Sequence, residues 1–267
     1  MPTTIATNLD DPRLDDYRVI ADPAALTARG VFVAEGRLVV ARLAALGRHR
    51  VRSLLVTDTA AAALAAPLAA LGGDVPIYVV PQAAMNAVVG FNIHRGCLAL
   101  AERPAPSPMA ALDLDSAHAV VVAEGVNNPD NVGGLFRNAA ALGASAVLLG
   151  PGCGDPLYRK AIRTSMAATL ALPYADASPW PDALDHVRAH GLPVVACTPD
   201  PSAPSLYETP LPRRAAVLVG AEGDGLTAAA RTRADLAVRI PMHGAMDSLN
   251  VATAAAVVLS VMAAGRA

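Results

Sequence analysis

From position 118 onward, short apolar runs alternate with longer stretches of mixed character. The runs at 120–123, 146–149, 194–197, 216–219 and 237–240 have the length of strands. Between them, 132–142 and 184–190 read as helices, stopped by Gly143 and Gly191. Another helix starts over 158–164. Strands that are apolar throughout, rather than alternating, are buried on both faces. The pattern therefore predicts an α/β unit with a mainly parallel sheet and helices on both sides. Its last strand (Ala237, Val238, Ile240) enters a Pro-Met-His-Gly loop and a polar knuckle, Asp247-Ser248-Leu249-Asn250. A smooth, small-residue helix follows over 251–264, for which Ser248 or Asn250 suits the N-cap.

The earlier part of the chain reads as a smaller α/β unit over 17–103. Ala34-Glu35-Gly36 opens a helix over 37–46, and 51–56 is a strand. The alanine-rich stretch 60–71 is a helix kinked or broken at Pro67, because proline lacks the N–H and clashes with the preceding turn. A strand at 76–80 and a final one after His94-Arg95-Gly96 complete the unit. Residues 1–16, with Asp10, Asp11, Asp15 and Asp16, read as a loose polar leader. The Pro-Ala-Pro-Ser-Pro run from Pro104 to Pro108 stays extended, so 104–117 is a linker and 118–267 the second domain.

At 267 residues the chain suits one large or two modest domains. Its net charge of −2 lacks the basic footprint of a typical nucleic-acid binder. Local patches still count, because phosphate contacts depend on where charges lie. Cys97, Cys153 and Cys197 are scattered and form neither a disulfide framework nor a zinc motif, which fits a reducing cytosol. Of the six histidines, His94, His118, His186, His190 and His243 show no metal spacing, and no metal is expected. No signal peptide is visible, and the uncharged run 251–265 is too short for a membrane span. A cytoplasmic location follows as the expectation.

A parallel sheet suggests a dinucleotide site, but the turn after the first strand, from Glu124 to Gly134, has the wrong glycine spacing. No G-x-x-x-x-G-K-[ST] loop is present either. This disfavours a dinucleotide-dependent oxidoreductase. The glycine-rich loops come later, at Gly220 to Gly225 and at Gly244.

Three segments carry the polar chemistry. They are Asn127-Asn-Pro-Asp-Asn-Val-Gly-Gly-Leu-Phe-Arg137, Val217-Leu-Val-Gly-Ala-Glu-Gly-Asp-Gly-Leu226 and Ile240-Pro-Met-His-Gly-Ala-Met-Asp-Ser-Leu-Asn-Val-Ala-Thr253. In this order they resemble the three signature motifs of the SpoU family of the SPOUT superfamily, enzymes that methylate ribose 2′-hydroxyls in ribosomal and transfer RNA. The resemblance covers roughly the last half of the chain. It implies a deep trefoil knot and S-adenosylmethionine held by the late loops. By position Gly220, Ile240 and Leu249 match cofactor-contacting residues, and Thr198 and Met242 join them at the ends of neighbouring strands. Simple core packing also accounts for Ile240 and Leu249.

Arg137 matches the arginine of the first motif, which is held to activate the ribose hydroxyl. If Asn131 caps its helix, Arg137 lies under two turns in, on a face with Leu135, Ala139 and Ala140. A 2′-hydroxyl is a very weak acid, so a base or a fixed positive charge must lower the cost of the developing alkoxide. Guanidinium parts with a proton only above about pH 12, which favours an electrostatic role over proton abstraction, with abstraction as the alternative. Asn131, Glu222, Ser248 and Asn250 match the other polar positions of the motifs. A turn residue and a helix cap are the plainer readings of Glu222 and Asn250.

Residues 17–103 resemble, more weakly, the L30e-like substrate-binding domain of these enzymes, through Val33-Ala-Glu-Gly36 and His94-Arg-Gly96. Arg29, Arg37, Arg48, Arg50, Arg52 and Arg95 are candidates for RNA phosphate contacts there. Arg159, Lys160 and Arg163, followed by Ser165, resemble a basic-then-serine segment of the family. Each equally suits a solvated surface. The resemblance implies an S-adenosylmethionine-dependent RNA 2′-O-methyltransferase, homodimeric, with ribosomal RNA favoured over transfer RNA. The alternative from another class is a non-catalytic RNA-binding or ribosome-assembly protein, which predicts loss of at least one of the five polar motif residues. All five are present.

Overall fold

The computed structural model describes residues 4–6, 10–244 and 246–265. The chain forms two compact units, one running up to Ala105 and including Leu157–Leu170, the other holding Pro106–Pro156 and the chain from Ala171 onward.

The first unit contains β1 (Thr4–Ala6), β2 (Val31–Glu35), β3 (Val51–Val56), β4 (Ile77–Val79) and β5 (Cys97–Glu102), in the order β1-β4-β3-β5-β2. β4 runs parallel to β1 and β3, whereas β5 is antiparallel to β3 and β2. Of the expected leader 1–16, residues 1–3 and 7–9 lie outside the described residues, Thr4–Ala6 form β1, and Leu14 is fully buried in the core. Tyr17 and Ile20, which follow, are buried beside it, and the Tyr17 hydroxyl lies 2.8 Å from Ser53 Oγ. Their three-residue spacing places them on one side of a short helical stretch, which the surrounding aspartates obscure. The alanine-rich helix breaks earlier than Pro67, into Asp58–Ala63 and Ala65–Ala69. Pro67 has no N–H to offer the carbonyl one turn upstream, at Ala63, so the interruption falls there.

The second unit is a six-stranded, all-parallel sheet in the order β11-β9-β10-β6-β7-β8. Its strands are β6 (Ala119–Ala123), β7 (Ala146–Leu149), β8 (Tyr174–Asp176), β9 (Val194–Cys197), β10 (Ala215–Val219) and β11 (Leu236–Val238). Every residue of β6, β7 and β10 is buried, as continuous apolar runs require. β8 and the short helix Ala228–Thr232 are additions to the expected elements. β11 ends at Val238, and Arg239 continues into a parallel bridge with Ser205. The helix Val251–Ala264 packs on the helix Pro129–Ala141 and on β10. Among the described residues no helix is long and apolar enough to cross a membrane.

Candidate active site

The helix Pro129–Ala141 starts one residue after Asn128, whose side chain accepts from the Asp130 N–H at 2.8 Å. Proline in the first helical position and Asp130 in the first turn both favour a start here. Asn131 is therefore not the cap; it is the third helical residue and is buried. Its Oδ1 accepts from Asn250 Nδ2 at 2.7 Å.

Asn250 is the junction of the site. Its Oδ1 caps the helix Val251–Ala264, accepting from Ala252 N at 3.0 Å and Thr253 N at 3.3 Å. Its Nδ2 donates to Asn131 and also to Glu222 Oε1 at 3.2 Å. One amide thus ties all three polar segments together. The two helices approach closely because their contact is small: a Cβ on Gly134 would lie 3.0 Å from that of Ala252. Asn138 Nδ2 donates to the Ala252 carbonyl at 2.8 Å on the same seam.

The loop after β10 folds back on itself. The Gly225 N–H donates to the Ala221 carbonyl at 3.1 Å. A Cβ at Gly220 would sit 2.4 Å from the Gly225 carbonyl carbon, so only glycine fits. The loop's far end is held by Glu124, a buried carboxylate directly after β6. It accepts from the Thr227 N–H and hydroxyl, both at 2.8 Å, and from Trp180 Nε1 at 2.7 Å.

Together the loops after β9, β10 and β11 enclose a cavity of about 800 Å³ at the carboxyl ends of these strands, where parallel sheets place their ligands. Thr198, Gly220, Ile240, Met242 and Leu249 all line it, as do Glu222, Ser248 and Asn250. Ile240 is buried, whereas Leu249 is 40% exposed, an apolar wall available to a flat ligand. Ser248 is exposed and donates to Asp247 Oδ1 at 3.2 Å, which leaves the cap to Asn250. Burial pushes the Cys197 thiol up to about 11, so this lining side chain carries no charge at physiological pH.

Arg137 stands apart from this lining. Leu135 and Ala139 turn inward, while Arg137 and Ala140 are exposed, so the four do not share the expected face. The Arg137 guanidinium makes no hydrogen bond or ion pair with the described residues.

In the first unit most candidate phosphate ligands are already committed. Arg29 pairs with Asp16 at 2.6 Å, and Arg50 and Arg52 both approach Glu102. Arg48 donates to the Leu170 carbonyl. Arg159 and Arg163 both bind the buried Glu35 carboxylate, and Arg159 also lies over the Phe91 ring at 4.6 Å. Recruiting either arginine to a phosphate would weaken the pairing of that buried charge. Lys160 is half-buried and has a partner as well. Arg37 and Arg95, on either side of the Gly36 turn, are exposed and unpaired among the described residues.

Residues 118–260, the span that carries all three polar segments, match the model of the SpoU rRNA Methylase family. The chain belongs to this family. It is 46% identical over 254 residues to an uncharacterised tRNA/rRNA methyltransferase of Mycobacterium tuberculosis, covering 92% of this chain and 87% of the relative. It is 32% identical over 167 residues to the 23S rRNA (guanosine(2553)-2′-O)-methyltransferase RlmP of Bacillus subtilis, covering 60% of this chain and 66% of that one. Among solved structures, the AdoMet-bound rRNA methyltransferase of Sinorhizobium meliloti superposes with a TM-score of 0.79 at 25% identity, covering 98% of both chains.

Two residues of this SpoU protein escaped the motif reading. Glu124 precedes the first motif and was read only as a flank of its turn. A carboxylate directly after a fully apolar strand, in a chain with a single tryptophan, is the signal that something buried must pair with it. Arg231 follows the second motif and also lines the cavity.

Proposed function

We propose that this SpoU protein transfers the methyl group of S-adenosylmethionine to a ribose 2′-hydroxyl of ribosomal RNA, as a cytoplasmic homodimer. The observation that carries the reading is the Asn131–Asn250–Glu222 network on the rim of a cavity that all five cofactor candidates line. The loops fit the cofactor. Gly220 brings backbone close where any Cβ would collide, and Ile240, Met242 and Leu249 supply apolar walls for a purine. The bound cofactor supplies an electrophilic methyl group on a sulfonium.

The protein's own task is the nucleophile. Arg137, exposed and unpaired among the described residues, offers a fixed positive charge to the developing alkoxide. Glu222 lines the cavity and has one oxygen engaged by Asn250, and the carboxylate serves as the proton acceptor. Because Arg137 does not line its own chain's cavity, the dimer reading has each arginine serve the other copy's cofactor. The trefoil threading of the chain, and the role of the first unit as an L30e-like RNA-holding domain through Arg37 and Arg95, belong to the same proposal.

The test is incubation with tritiated S-adenosylmethionine and either ribosomal or transfer RNA, wild type beside Arg137→Ala. A methylated 2′-oxygen cannot attack its own phosphodiester, so label must appear in RNA resistant to alkali at one linkage. Label in ribosomal RNA that is lost in the variant supports the reading. Label in transfer RNA alone would move the substrate to the other class. Absence of label despite cofactor binding would favour a silent RNA binder.

A further inference from the structure

We propose that Arg231 binds the α-carboxylate of S-adenosylmethionine and is the cavity's specificity residue for the amino-acid end of the cofactor. This rests on the cofactor reading above. The first support is the charge inventory of the wall. Asp200, Glu222, Asp224 and Asp247 line the cavity, and among the described lining residues Arg231 is the one cation. S-adenosylmethionine carries two positive groups, the sulfonium and the ammonium, and one negative group. Four carboxylates suit the first two and repel the third. A carboxylate enters such a field only where a guanidinium meets it, and the planar fork of arginine matches it in geometry.

The second support is how Arg231 is held. It lies in the last turn of the helix Ala228–Thr232, capped by Thr227, whose hydroxyl accepts from Ala230 N at 3.2 Å. Thr227 is itself fixed by the buried Glu124. The arginine thus stands on an element anchored to the sheet.

The third support is that its guanidinium makes no hydrogen bond or ion pair with the described residues, whereas its neighbours are committed. Arg233 pairs with Asp182 and Asp185, and Arg239 donates to the Ala203 carbonyl. The nearby Asp200 has its Oδ1 occupied by the Ser202 N–H at 2.8 Å and hydroxyl at 2.7 Å, and feels Arg231 only through space. A second cavity of about 390 Å³ shares Thr198, Asp200 and Arg231, so the side chain borders open space on both sides.

Isothermal titration calorimetry tests the assignment with two probes, S-adenosylmethionine and its decarboxylated analogue, on wild type, Arg231→Gln and Arg231→Lys. The analogue keeps adenosine, sulfonium and amine and lacks only the carboxylate. Wild type is expected to bind S-adenosylmethionine roughly tenfold to a hundredfold more tightly than the analogue, the range of a charge-assisted hydrogen-bonded pair. Arg231→Gln should erase that preference by weakening S-adenosylmethionine alone, and Arg231→Lys should keep part of it. Equal affinity of wild type for both probes would overturn the assignment. So would an equal loss of both in Arg231→Gln, which marks a structural role. If wild type binds neither probe, the cofactor reading itself falls, and Arg231 falls with it. Thermal melting of each variant, expected unchanged for this exposed side chain, separates these outcomes from misfolding.

Discussion

Replacing Asn250 by alanine removes two separable things. The first is the N-cap of the helix Val251–Ala264, where Oδ1 accepts two orphan N–H groups; losing such a cap costs about 1 kcal/mol. The second is the donor to Asn131 and Glu222. Asn131 is buried, so its Oδ1 would be left without this partner, at about 1–3 kcal/mol, while the exposed Glu222 regains water at little cost. The total is about 2–4 kcal/mol. Asn250→Asp divides the two contributions: a carboxylate caps as well as an amide, but it cannot donate to Asn131 and sets a negative charge beside Glu222. It should therefore retain the cap contribution and lose the network.

Urea unfolding followed by tryptophan fluorescence is the direct assay. Trp180 is the single tryptophan, lies in the second unit and donates to Glu124, so it reports on this unit alone. The midpoint should fall with an unchanged slope. A double-mutant cycle between Asn250→Ala and Asn131→Ala should give a coupling of about 1 kcal/mol, as for residues sharing one hydrogen-bond network. Additivity within about 0.3 kcal/mol would refute the claim that Asn250 joins the motifs, and would leave it only a cap.

Gly220→Ala must displace backbone of Gly225 and Leu226, at about 1–3 kcal/mol as for overpacking, and should abolish S-adenosylmethionine binding in the titration. Gly223→Ala meets nothing within 4 Å and carries only the strain of its φ of +86°, so it should cost about 1 kcal/mol and leave binding intact. The Cys197 thiol, raised by burial from 9.0 to about 11, makes stability depend on alkaline pH. Its folded value exceeds its unfolded one, so its contribution is complete below about pH 9 and declines as pH rises toward 11, by up to about 1.4 kcal/mol per pH unit. Trp180-detected melts of wild type beside Cys197→Ser should show the slope flattened in the variant, and parallel curves would refute the assignment.

What was legible in the sequence, and what was not, divides along the distance between partners. The strands of the second unit showed themselves because burial on both faces demands unbroken apolar runs, a purely local signal. The cap of the Pro129–Ala141 helix was also local, since Pro129 in the first helical position points to Asn128; the asparagine nearer to Arg137 drew attention from it. By contrast, nothing near Arg159 or Arg163 in sequence says that each is paired with Glu35, more than a hundred residues away. A list of arginines names every cation; only the fold shows that Arg37 and Arg95 remain unpaired among the described residues while Arg29, Arg159 and Arg163 do not. Glu124 is the same case with opposite sign, its partners lying at positions 180 and 227.

Asn250 shows why the plain and the functional readings of a polar residue need not compete. As a sequence position it was either a helix cap or a member of the active site. In the structure its oxygen is the cap and its nitrogen is the link to Asn131 and Glu222. An amide is the one small side chain with an acceptor and a two-proton donor on a single rigid plane, so fixing one end fixes the other. The helix start, a local and inexpensive device, thereby sets the orientation of a network that reaches from the buried Asn131 to the exposed Glu222 and spans three distant segments. Serine at this position would cap equally well and leave Asn131 without its donor, and aspartate would cap and repel Glu222. The chemical requirement for asparagine thus comes from the conjunction of the two duties, and neither duty alone would impose it.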